Sequence, residues 1–112
     1  MKKVYSFGTK LWASQQKRFF HTDDLLENLV PKIGGKHLYH SNNGGEDVYL
    51  LPNNCIGINT FAQSILIIES RLEENIEKCV SLIKQELDRD KDYYEQHTLV
   101  YRGTDYRGGY IF

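Results

Sequence analysis

Apolar residues recur at helical spacing over one long stretch: Leu72, Ile76, Cys79, Val80, Ile83 and Leu87 share a face, predicting a helix over about 71–89. Ser70-x-x-Glu73 reads as its capping box. A second stripe, Leu25, Leu26, Leu29, Val30 and Ile33, predicts a helix over about 23–31. Thr22 is its expected N-cap, Asp23 and Asp24 suit the positive end of the helix dipole, and Pro31 should end it before Gly34-Gly35.

Elsewhere the apolar runs are short or alternate, as strands do. Residues 4–7 read as a first strand, and Gly8-Thr9 would turn the chain into a second short one around 11–13. Residues 15–21 read as loop. Two runs, 36–41 and 46–51, flank Asn42-Asn43-Gly44-Gly45, where Asn-Gly tolerates the positive φ of a tight hairpin turn. With Asn43-Gly44 at the turn, facing residue numbers add to 87, so His40 lies opposite Asp47 and Leu38 opposite Tyr49. Residues 55–59 and 64–69 read as two more strands, the second apolar enough to be central. Residues 88–96 are polar and read as a fraying end or loop. Residues 98–102 and 107–112 predict a C-terminal hairpin turned around Gly103-Thr104-Asp105. The order predicts an α+β fold: an antiparallel or mixed sheet of about five to seven strands packed by two helices.

Composition sharpens this picture only in places. A chain of 112 residues fits a single domain over 1–112 and leaves no room for a second core. The longest apolar run, Ile65-Leu66-Ile67-Ile68, is far too short to span a bilayer, and the interrupted N-terminal stretch does not read as a signal peptide. Cys55 and Cys79 lack CxxC spacing and sit among apolar residues, which predicts buried free thiols, no metal, no cofactor and a cytoplasmic setting.

Charge changes the picture most. The first 22 residues hold Lys2, Lys3, Lys10, Lys17 and Arg18 with no carboxylate, whereas all 15 carboxylates follow. A net charge of −1 therefore hides a basic segment joined to an acidic remainder, a polarity that steers charged partners. The same segment carries Tyr5, Phe7, Trp12, Phe19 and Phe20. Cations interleaved with rings suit single-stranded nucleic acid, with phosphate tracked by Lys and Arg and bases stacked on aromatics. Buried rings beneath exposed lysines would instead suit an acidic protein partner.

Two further groups are candidates for chemistry. His40 beside Asp47 would form a base with its orienting carboxylate, or else an ordinary cross-strand polar pair. His37, three residues from His40, should point to the opposite face of a regular strand and so share no metal with it. Near the C-terminus, Tyr101, Arg102, Asp105, Tyr106 and Arg107 lie among glycines, as surface residues or as a phosphate-binding cluster. Together with His37, His40 or His97, Arg102 or Arg107 would complete a phosphodiester-cleaving site.

The first expectation is a small cytoplasmic binding protein acting by contact: an inhibitor, immunity-like or accessory module with a charge-polarised, tyrosine-rich surface. Its binding residues would be drawn from Lys2, Lys3, Lys10, Trp12, Lys17, Arg18, Tyr101 and Tyr106. The alternatives are a small nuclease or nucleotide phosphodiesterase using His40, Asp47, Arg102 and Arg107, and a nucleic-acid-binding module using residues 2–20. The partner is expected to be a protein or nucleic acid, with no membrane. The acidic face of the long helix against the basic segment of another copy makes a homodimer a further option.

Overall fold

The computed structural model describes residues 1–41, 45–60 and 64–104. Strands β1 (Lys2–Gly8), β2 (Lys36–Ser41), β3 (Glu46–Leu51), β4 (Cys55–Thr60), β5 (Ile65–Glu69) and β6 (Thr98–Tyr101) form one sheet, in the order β2-β3-β4-β5-β1-β6. Every neighbouring pair is antiparallel. Helices α1 (Thr22–Lys32) and α2 (Glu73–Arg89) pack on one face. The fold is α+β, as the pattern predicts, and no helix among the described residues is long and apolar enough to cross a membrane.

The core follows from strand alternation. Tyr5, Tyr49, Leu51, Cys55, Leu66 and Ile68 point to the helices and meet Leu25, Leu26, Leu29, Ile76, Cys79, Ile83 and Leu87. The opposite face buries Val4, Ile65 and Ile67, with Ile58 packed on them. Both cysteines are buried free thiols, and burial pushes Cys79 up to about 12.

Several local expectations need correction. No strand forms at residues 11–13; the chain makes a 3-10 turn at Ala13–Gln15, with Trp12 N–H donating to Gln15 Oε1 at 2.9 Å. Thr22 is the first residue of α1 and buried, and the cap position falls to His21. Pro31 is accommodated inside the last turn of α1, which ends where Gly34 takes φ +90°. Gly35 then runs so close to β3 that a Cβ there would meet Leu50 O at 2.4 Å. The Ser70 capping box is not made. α2 starts at Glu73 with Leu72 at the cap, because Ser70 Oγ donates to Asn54 O (3.2 Å) and Glu73 ion-pairs with Lys3 (2.9 Å). Leu72 consequently leaves the apolar stripe and is exposed. The Asn43-Gly44 turn, and residues 107–112 of the expected C-terminal hairpin, lie outside the described residues.

Candidate functional site

β1 ends at Gly8, and residues 9–21 then cross the end of the sheet to reach α1. Both ends of this crossing loop are tied to one residue of the turn after α2. Thr9 Oγ1 donates to Glu95 O at 2.5 Å. The Glu95 carboxylate accepts backbone N–H groups from Lys17, Arg18 (3.2 Å) and Phe19 (2.8 Å). Burial works against ionisation of Glu95, but those donations outweigh it and hold its carboxyl below the usual range, with His97 adding to the effect. Phe19, buried between Tyr93, Tyr94 and His97, supplies the apolar half of the anchor.

The anchor leaves the rest of the loop outside. Trp12 is 77% and Phe20 60% exposed, beside exposed Lys10, Lys17 and Arg18. The Arg18 guanidinium lies over the Tyr93 ring at 5.0 Å, and Lys32 Nζ lies over the same ring at 4.2 Å. Below them, Glu86 takes a two-pronged contact from Arg89 (3.0 and 2.6 Å) and the hydroxyl of Tyr94. The Arg89 contact is the main cause holding Glu86 below the usual carboxylate range.

The other sequence candidates separate from this surface. Lys3 is three-quarters covered or more, and its ammonium is spoken for by Glu73 (2.9 Å) and Glu77 (3.6 Å) of α2, so it is not part of a positive face distinct from that helix. Lys2 is exposed at the far end of β1. Tyr101 packs on Tyr5 at 5.5 Å and sits under Lys3 at 5.8 Å. Arg102 Nε donates to Ser6 Oγ at 2.8 Å on the face without helices. Tyr106 and Arg107 lie outside the described residues.

The histidines are brought together in a way regular strand spacing excludes. β2 carries a bulge between His37 and Tyr39: His37 pairs with Tyr49, whereas Tyr39, His40 and Ser41 keep the sum of 87. The added residue places His37 on the same face as His40, and Leu38 loses Tyr49 as its opposite. His37 Nε2 (2.9 Å) and His40 Nδ1 (3.1 Å) both reach Asp47 Oδ1. The carboxylate is buried and the two imidazoles are about half exposed, at 44% and 43%. Tyr49 lies behind them, edge-on to His37 at 5.2 Å, and its hydroxyl is driven strongly upward by burial first and Asp47 second. That hydroxyl and both amide atoms of Asn59, the cross-strand partner of Asp47, are buried without a hydrogen-bond partner among the described residues. Among the described residues no three histidine, cysteine or carboxylate groups are placed to hold a metal ion.

Of the two candidate arginines, the described one, Arg102, does not join this corner. Among the described residues β2 and β6 are opposite edges of the sheet, which puts Arg102 about 24 Å from the histidine pair at five strand spacings. His97 is five residues from Arg102 along β6, about 16 Å in extended chain. The sequence reading missed Glu95, Tyr93 and Tyr94; two adjacent tyrosines inside an otherwise polar run were the signal that residues 88–96 pack. Comparison with known proteins finds no matching family model, curated protein or solved structure.

Proposed function

We propose that this protein works by contact: a small cytoplasmic inhibitor, immunity-like or accessory protein that binds an acidic protein partner through Lys10, Trp12, Lys17, Arg18 and Phe20. One observation carries the reading. Two large rings stand 77% and 60% exposed on a loop fixed at both ends by one buried residue, Glu95, through its backbone carbonyl and its carboxylate. Exposed aromatics flanked by cations are the residue types that dominate binding energy once covered, and a fixed loop loses little entropy when it docks. A short protein footprint fits better than a long nucleic-acid track. Asp23 and Asp24 on α1, and Asp88, Asp90 and Asp92 at the end of α2, bracket the loop with negative charge.

The phosphodiesterase alternative is favoured by the two imidazoles on Asp47 alone, which supply an acid–base pair, while Arg102 lies on the far side of the described sheet. The deciding experiment is capture from the native host with and without RNase and DNase, repeated with Trp12→Ala and Phe20→Ala. The expected result is a nuclease-resistant protein partner that is lost on Trp12→Ala and kept on His40→Ala. Loss of capture on nuclease treatment would favour nucleic-acid binding. Phosphodiester cleavage abolished by His40→Ala, at the ~10²–10⁴-fold level of a lost general acid or base, would establish the enzyme instead.

A further inference from the structure

A buried polar cluster beneath α1 is left over by the contacts of the histidine corner. Asp47 on β3 and Asn59 on β4 are direct cross-strand partners, so their side chains stand side by side on the helix face, and Tyr49, two residues on from Asp47, stands on the same face. Tyr49 and Asn59 are fully buried. Even so, the Tyr49 hydroxyl, both Asn59 amide atoms and Asp23 Oδ1, in the first turn of α1, have no hydrogen-bond partner among the described residues. Both imidazoles use Asp47 Oδ1, and Asp47 Oδ2 accepts from no described residue. The charged groups that act on the Tyr49 hydroxyl are all carboxylates, Asp47 from the sheet and Glu27, Asp23 and Asp24 from α1, with no lysine or arginine among them. Polar atoms left unpaired in the interior cost their full desolvation, so a set of them on one face is expensive to keep unless something binds there.

We propose that this corner binds a primary alkylammonium group, the protonated end of a small amine or of a lysine side chain. The three N–H donors of such a group match three acceptors that receive no donor from the described residues: Asp47 Oδ2, the Tyr49 hydroxyl oxygen and Asn59 Oδ1. Its charge answers the carboxylates of β3 and α1, and hydrogen bonds from a cation to buried oxygens are stronger than the same bonds in water. An alkylammonium is also slender. It enters past His37 and His40, which are half exposed above the buried Asp47. An anion would be opposed by four carboxylates. A metal ion fits less well, since among the described residues no three histidine, cysteine or carboxylate groups are placed to hold one. The site does not rest on the Trp12 loop and stands apart from the binding role proposed for it.

The test is a titration of the whole protein with n-butylammonium, followed by proton–nitrogen NMR on the side-chain amide of Asn59 and the imidazoles of His37 and His40. Those signals should move and saturate. Tetramethylammonium carries the same charge without N–H donors and should leave them in place. Tyr49→Phe keeps the ring and removes one acceptor, so affinity should fall about tenfold or more, the loss of one hydrogen bond to a charged group. Asn59→Leu should weaken binding likewise, and its melting temperature should hold or rise, because an unpartnered amide gives way to an apolar group of similar size. Tighter binding of an acetylated lysine amide than of n-butylammonium assigns the group to a partner's lysine, and the reverse assigns it to a free amine. No saturable movement overturns the proposal, as does an equal response to tetramethylammonium or wild-type affinity in Tyr49→Phe. So does a clear loss of stability in both Tyr49→Phe and Asn59→Leu, which would show that the hydroxyl and the amide already have partners within the chain.

Discussion

Glu95 sits at φ +54°, a left-handed conformation that costs a non-glycine residue about 1–2 kcal/mol, and the neighbouring Gln96 sits at +56°. The residue can hold that shape because its carbonyl and carboxylate between them fix a loop some 80 positions away in sequence. Glu95→Ala should therefore lose at least the ~1.5–3 kcal/mol of one charged hydrogen bond, measured by denaturant unfolding. Amide exchange at Lys17, Arg18 and Phe19 should accelerate while that at Ile68 and Ile83 changes far less. Acid should mimic the substitution. Glu95 and Glu86 both have folded values depressed below the ordinary 4.5, so their contribution is present above that value and lost as the pH falls through their folded values. Wild-type stability should accordingly drop in the acid range below about pH 4.5, and Glu95→Gln should flatten that part of the curve. An unchanged acid limb in the variant would mean that Glu95 is not the anchor described.

At the scale of elements, α2 is the clearest test of packing. Ile76 is fully buried between α2 and the sheet, and Ile76→Ala should cost roughly 2–5 kcal/mol by chemical denaturation. That helix was legible because six apolar residues recurred at its period, but its start was not. Ser70 and Glu73 have the spacing of a capping box, and each found a tertiary partner, Asn54 and Lys3, that local sequence cannot show. The hairpin register was legible from Asn-Gly to His40 opposite Asp47. It failed one step further, at Leu38, because a bulge depends on how the edge strand twists and not on which residues it contains. The same slip hid the meeting of His37 with His40. The basic segment could be read as a candidate surface from composition. Which of its rings would be buried could not, since Phe19 and Phe20 are adjacent and only the contact with Tyr93 and Tyr94 separates their fates.

At the scale of the whole molecule, the separation of charge along the chain becomes a local contrast on its surface, with Lys3 already neutralised by α2. For an acidic partner bound through the loop, the association rate should fall about tenfold or more as salt rises from about 0.05 M to about 0.3 M. Lys10→Glu combined with Lys17→Glu should remove most of that salt dependence, and binding indifferent to both would rule out electrostatic docking there. The strand order also dictates when this surface can exist. β2 to β5 form a meander of near neighbours in sequence, whereas β1 is wedged between β5 and β6, with Val4 opposite Ile67 and Tyr5 opposite Tyr101. Loop closure over such separations is slow, so the meander should nucleate folding and β1 should join late. Side-chain truncations at Val48 or Ile58 should slow folding, and truncation of Val4 should mainly speed unfolding. The chain's first strand is thus among the last to find its place, and the aromatic loop that follows it takes its anchored shape only after residues 65–101 have assembled around it.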